Sequence, residues 1–392
     1  MQLFNKEQYL LIDVANCYGL DKLSWNERID WTKSNLNVLE SLAEKADAPC
    51  MYRCAVKALR DHYAGIPSGY GIHLDATASG TQWLSILTGD RSGASLCNVL
   101  NTGKREDSYT IIHKAILEES GTTSNITRDQ VKKAIMTSLY GSTKRPKELF
   151  GSDLPLFEKV MSKYLPEAWE FNKVLSGPAW DTTVDSYHWV LPDNFHAGFK
   201  VKALVQHEFT FKGNTVAYFV KEQMPQPKGR ALGANLIHSI DGFIVREMVQ
   251  RCSFSNNRAK EVISGSTSFI GSPEDILQCL TLWNLYKESG FLSARILNYI
   301  YANTINLVDI DKIKELINEL PKKTFDILPI HDSFTVLPAY GNDVRQQYIY
   351  LMYHMAKSNM INFLGHQIGI QAEWVKPEDF SEEILNSEYA LS

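Results

Sequence analysis

Three stretches of this chain carry side chains whose types and spacing could do chemistry together. Arg128 and Lys132 stand four residues apart and Tyr140 eight further on, so a helix over 127–140 would put all three on one broad face. Two cations and a phenolic hydroxyl on one stripe suit a triphosphate followed by a sugar, since both cations offset phosphate charge and a guanidinium can bind it bidentately. Asp75 closes the apolar run Gly71-Ile72-His73-Leu74, and His331-Asp332 separates the apolar runs 325–330 and 333–337. Brought together, these carboxylates could hold two divalent cations ~3.5–4 Å apart, as in-line phosphoryl transfer uses them. One ion would acidify an attacking hydroxyl and the other would neutralise a departing pyrophosphate. Hard oxygen donors suit Mg²⁺. Taken singly, each stretch also has an ordinary reading: a solvated basic helix with a tyrosine at its buried end, or an aspartate that caps a turn.

The patterning around these residues is α+β. Helical spacing runs through 26–63, 79–89 and 107–119 and resumes from 235. Thr127 can cap the 127–140 helix, and Gly141 follows it as a terminating glycine would. A short strand fits 71–75. Between 186 and 225 the pattern turns to strands, with Phe209-Thr210-Phe211 and 215–219 flanking Lys212-Gly213-Asn214 as a hairpin. The stretch 324–338 reads as a hairpin with a carboxylate at its turn.

Composition sets the outer limits. The chain has 392 residues, 44% hydrophobic and 22% charged, enough for two or three domains or one multi-lobed enzyme with a sizeable core. Its net charge of -5 does not announce a nucleic-acid binder, although a basic cleft can sit on an acidic body. Six scattered cysteines fit reduced core thiols better than a disulfide framework or a zinc site. No apolar run approaches the ~18 residues of a membrane span, and the first residues lack the layout of a signal peptide. The expectation is a cytoplasmic chain without membrane contact.

In order and spacing, the three stretches resemble the conserved motifs of the single-subunit RNA polymerases of bacteriophages and mitochondria. Leu74-Asp75-Ala76-Thr77-Ala78-Ser79-Gly80-Thr81-Gln82 is similar to their motif A. Arg128, Lys132, Met136-Thr137 and Tyr140-Gly141-Ser142 follow motif B, and Ile330-His331-Asp332-Ser333-Phe334 follows motif C. Shorter likenesses extend over most of the chain: 15–22 with Glu27-Arg28-Ile29, Asp107-Ser108-Tyr109, His188-Trp189-Val190 with Pro192-Asp193, and Asn235 with His238-Ser239 and Asp241-Gly242. The ending, Glu388-Tyr389-Ala390-Leu391, resembles a short aromatic tail that folds back toward the active site.

The resemblance implies a right-hand α+β polymerase fold, mostly helical with a small antiparallel palm sheet. Palm would comprise 1–103 and 239–392. Fingers would comprise 104–238, with a promoter-specificity hairpin near 197–228. Asp75 and Asp332 would hold two Mg²⁺ ions, helped by the Ala76 carbonyl. Arg128 and Lys132 would contact the incoming triphosphate, with Lys22 adding a further contact. Tyr140 would gate the nucleotide site and favour ribose, and His238 would sense the 2′-hydroxyl or the hybrid's minor groove. His331 would position rather than act as a base. Implied partners are a DNA template, nascent RNA and ribonucleoside triphosphates, in the host cytoplasm if a phage encodes the chain.

Some residues depart from the family pattern. Ala76 and Thr335 stand where glycine is usual, Trp83 replaces a histidine, and the tail ends in Leu391-Ser392. Motif A also lies only 75 residues from Met1. This leads us to expect a split enzyme, with a second polypeptide supplying thumb and N-terminal domain. The alternatives are a family A-like DNA polymerase, where His-Asp-Glu would be usual at the hairpin, and a non-catalytic nucleic-acid-binding subunit on a polymerase fold.

Overall fold

Three short strands meet in an antiparallel sheet at the heart of the computed structural model, which describes residues 1–120, 125–229 and 231–392. Ser333–Val336 is the middle strand, between Ile72–Asp75 and Leu328–Ile330. Side chains alternate across a strand. Ile72 and Leu74 therefore pack into the core with their opposite partners Val336 and Phe334, while Asp75 opens outward. Ile330 pairs with Ser333, which leaves His331-Asp332 as a two-residue loop with His331 at φ 56. The expected hairpin with a carboxylate at its tip is present. Its first strand is shorter than the apolar run: Phe325 and Ile327 instead plug the core, Phe325 stacking on Tyr340 at 4.3 Å.

Helices make up most of the rest. The reading of 26–63 as one helical stretch resolves into Trp25–Ser34, a 3₁₀ segment Leu39–Lys45 and Pro49–Tyr63. The second helix begins at Pro49, whose fixed φ and missing N–H suit a first turn. Ser79–Thr88 and Ser108–Glu119 form where expected. Arg128–Leu139 opens with a capping box, Thr127 and Gln130 each bonding the other's backbone N–H, and Gly141 follows at φ 77. Ala231–Ser253 is the longest helix among the described residues and starts four residues before the expected 235.

Two separate ribbons occupy the region expected to be strands. Ser186–Val190 pairs with His196–Lys200, and Lys202–Phe211 pairs with Asn214–Gln223. Asn214 pairs with Phe211 and so belongs to the strand rather than the turn. Lys212 and Gly213, at φ 49 and 79, form the loop alone, and two consecutive positive φ values match strand twist.

One hydrophobic cluster runs from Phe4 to Leu391, through the sheet and the helices around it. A second, smaller cluster gathers Phe254, Val262, Leu282, Ile296 and Ile313 within the stretch expected as the second part of the palm. No helix among the described residues is long and apolar enough to cross a membrane.

The chain's last residues pack beside the sheet. Leu391 bridges to Ala76, the Thr77 hydroxyl donates to the Tyr389 carbonyl at 2.8 Å, and Tyr389 stacks on Trp25 at 5.2 Å. Buried Gln82 fastens this arrangement. Its amide donates to the carbonyls of Ala390 (2.9 Å) and Cys97 (3.0 Å), and its oxygen accepts from the Tyr348 hydroxyl at 2.7 Å. Gln82→Ala strands three buried polar groups, so we expect a loss of roughly 2–4 kcal/mol in urea unfolding. A loss below about 0.5 kcal/mol would show that the network does not hold the tail.

Candidate active site

A cleft of about 960 Å³ opens at the end of the sheet. Asp75, Ala76, His331 and Asp332 form its floor, and Lys22, Lys132, Tyr140 and His238 stand around it. Backbone pairing brings the two aspartates together. Asp75 ends its strand opposite Ser333, and the Ala76 N–H donates to the Asp332 carbonyl at 3.0 Å. On Ala76's other side, Asp75 and Ser392 exchange both backbone hydrogen bonds across the tail bridge. In such a ladder the intervening residue turns its N–H and C=O the opposite way. The Ala76 carbonyl therefore faces the Asp332 side, as a third hard oxygen beside two carboxylates.

The two carboxylates also act on each other electrically. Although Asp75 opens to the cleft, its carboxyl lies above the ordinary range. Desolvation by the walls is the larger cause, and the Asp332 charge adds to it against a hydrogen bond from Ser333. Among the described residues no group of three or more His, Cys, Asp or Glu is placed to hold a metal ion. Two carboxylates and a carbonyl fit Mg²⁺, which completes its shell with waters and substrate phosphates.

Tyr140 ends the Arg128–Leu139 helix and reaches across the cleft. Its hydroxyl donates to Asp241 at 3.1 Å, and its ring lies 4.6 Å from that of His238. Gly80 makes room for it, since a Cβ there would lie 3.1 Å from the hydroxyl oxygen. Sequence reasoning assigns Asp241 no role. The signal was its spacing: it sits three residues past His238, on the same face of a helix.

Burial pushes the Asp241 carboxyl up to about 6; the Tyr140 hydrogen bond opposes this and the Asp332 field adds to it. For a carboxyl raised in the folded state, full stability is present below the ordinary value of 3.8 and is lost as pH rises through about 6. Asp241→Asn is therefore expected to raise Tm at pH 8 and to flatten the melting profile between about pH 4 and 6. An unchanged profile would show that Asp241 is not held protonated by its surroundings.

Lys132 points into the cleft with its ammonium 5.6 Å from the Tyr109 ring centre. Lys22 pairs with its neighbour Asp21 at 2.5 Å. Arg128, by contrast, does not line the cleft. Asp107 holds its guanidinium through both carboxylate oxygens, at 2.7 and 2.8 Å, and Thr110 accepts from its Nε at 2.8 Å. Asp107 also caps the Ser108–Glu119 helix, so this pair ties the two helices together. Sequence spacing did not reveal this capture, nor the presence of Arg105 and Tyr109 in the cleft wall.

Comparison with known proteins finds similarity to RNA polymerases over part of the chain. The family model for DNA-dependent RNA polymerase matches residues 5–148, which include Lys22, Asp75, Arg128, Lys132 and Tyr140 but not His238 or Asp332. A probable DNA-directed RNA polymerase of Neurospora crassa is 28% identical over 187 residues, covering 42% of this chain and 20% of the relative. A mitochondrial DNA-directed RNA polymerase of Arabidopsis thaliana is 31% identical over 175 residues, covering 35% and 18%. The DNA-directed RNA polymerase of Pseudomonas phage phiKMV is 26% identical over 170 residues, covering 34% and 21%. Over these stretches the chain is similar to RNA polymerases of phage and mitochondrial type. The matches span about a fifth of the length of these relatives.

Against the pattern of these polymerases, the departures are absorbed locally. Trp83 is buried against Tyr348, with ring centres 5.4 Å apart, and does not line the cleft. Thr335 packs its methyl over Gly71, where an added Cβ would meet that methyl at 2.5 Å. Ala76 presents its backbone to the site, so its side chain leaves the carbonyl's direction unchanged.

Proposed function

We propose that this chain is the catalytic part of a DNA-directed RNA polymerase, adding ribonucleoside monophosphates to an RNA 3′ end on a DNA template. The observation that carries this reading is the meeting of Asp75 and Asp332 at adjoining strand ends, in one cleft with Lys132 and Tyr140. In this reading 1–103 and 239–392 form the palm and 104–238 the fingers. The Lys202–Gln223 ribbon is the site of upstream DNA contacts. If a phage encodes the enzyme, it works in the host cytoplasm.

Bound Mg²⁺ supplies a lowered pKa for the attacking 3′-hydroxyl and charge neutralisation for the departing pyrophosphate. Asp75, Asp332 and the Ala76 carbonyl would hold it. Lys132 holds the triphosphate as a point charge. Arg128 keeps the fingers helix in place through its ion pair with Asp107. Tyr140 and His238 form the surface against which the sugar rests. Catalysis then comes mainly from positioning and charge neutralisation.

The test is extension on a preassembled RNA–DNA scaffold with Mg²⁺, by the chain together with any protein that copurifies with it. Ribonucleotide addition with pyrophosphate release supports the proposal. Preferential use of deoxyribonucleotides would make it a DNA polymerase. Tight scaffold binding without extension would reduce it to a binding subunit.

A further inference from the structure

Arg105 is the cleft residue whose surroundings demand a ligand. It lies in the loop before the Ser108–Glu119 helix and lines the same cleft as Asp75 and Lys132. The carboxylates that act on its charge are Asp21 and Asp107, and both are already engaged, Asp21 by Lys22 and Asp107 by Arg128 and Thr110. Among the described residues Arg105 makes no ion pair, and its Nε is buried without a hydrogen-bond partner.

The fully buried arginines of the chain have partners for their guanidinium NH groups, although the Arg251 Nε is also buried without one. Arg28 donates to the Leu23 and Asp21 carbonyls and to Asn16. Arg345 donates to the Gln2 carbonyl and to Glu388. Arg251 donates to Gln347 and Glu319. Those three hold the fold together, whereas Arg105 presents a guanidinium to an open cleft with nothing to receive it.

Desolvation already weighs against the Arg105 charge. An unpaired, partly buried guanidinium is costly, and removing one partner of a buried charge is among the larger single losses a protein can suffer. A bound anion would satisfy it. The planar fork of donors matches phosphate oxygens, and Lys22 and Lys132 stand in the same cleft.

We propose that Arg105 is an additional phosphate-binding side chain of this cleft, engaging oxygens of a phosphate group. The phosphate belongs either to the incoming triphosphate or to the nucleic-acid backbone. The inference rests on the polymerase reading only for these two sources.

Both sources can be tested by binding alone, with inorganic tripolyphosphate in one arm and a preassembled RNA–DNA scaffold in the other. Arg105→Gln is expected to weaken one of them about ten- to a hundredfold, with Arg105→Lys restoring part of the loss. Loss confined to tripolyphosphate assigns the incoming nucleotide. Loss confined to the scaffold, with a salt slope shallower by about one, assigns the backbone. Because Arg105 has no partner inside the protein, Tm is expected to hold or rise in Arg105→Gln. Unchanged binding of both ligands overturns the proposal, as does a Tm lowered by several degrees in both variants with both ligands lost together. Neither arm needs turnover. A chain that binds phosphate through Arg105 yet adds no nucleotide would sink the polymerase reading and leave this one standing.

Discussion

Asp332→Asn is expected to lower nucleotide addition by about a thousandfold or more, since one carboxylate of a metal pair carries several kcal/mol of transition-state stabilisation. Scaffold affinity should stay within about twofold of the parent, because in the proposed mechanism Asp332 would hold metal rather than contact the nucleic acid. Folding should survive as well. Asp332 sits in a two-residue loop, and its carbonyl, not its side chain, receives the Ala76 N–H. Its charge raises the Asp75 carboxyl, so neutralising it removes a like-charge cost that is present above the folded pKa of Asp75. Metal-free Asp332→Asn should therefore melt no lower than the parent at pH 7. Added Mg²⁺ should stabilise the parent and leave the variant unmoved, because only a ligand bound to the folded state shifts the transition. Synthesis above about a tenth of the parental rate would remove Asp332 from the metal site.

Tyr140→Phe should keep activity and lose selectivity. The ring packs on His238 and over Gly80 in either variant, so the cleft wall is preserved. The missing atom is the hydroxyl, which donates to Asp241 and has its oxygen lone pairs free to face a sugar hydroxyl. A pocket that hydrogen-bonds a substrate hydroxyl rejects the analogue lacking it, because its own polar group is then left unpaired. Without that group, the ratio of kcat/KM for ribonucleotides over deoxyribonucleotides should fall about ten- to a hundredfold. The fall should come mostly from faster use of deoxyribonucleotides. An unchanged ratio would take Tyr140 out of sugar selection.

The parts of the site legible in the sequence were those fixed by local rules. Thr127, Gln130 and Gly141 bracket the Arg128–Leu139 helix by capping chemistry that spacing alone reveals, and this puts Lys132 and Tyr140 on one face. The apolar runs of 71–75, 325–330 and 333–337 indicated a strand ending in Asp75 and a hairpin with Asp332 at its turn, and antiparallel pairing could then bring the two together. What was hidden depended on contacts between distant segments. Arg128 reads as a triphosphate ligand until Asp107, 21 residues away, is seen to hold it. Arg105 reads as one of several charges in a polar loop until its lack of a partner is visible. The second hydrophobic cluster has no composition break to mark it, because its helices carry the same apolar periodicity as the rest.

The most direct test of the account is where the metal sits. With Fe²⁺ in place of Mg²⁺, and peroxide added, hydroxyl radicals cut the backbone next to the bound ion. In the complete complex with nucleotide, cleavage is expected within a few residues of Asp75 and of Asp332 together, and is expected to vanish at both places in Asp332→Asn. Cleavage at only one of the two, or at neither while extension proceeds, would contradict a shared metal site at the end of this sheet.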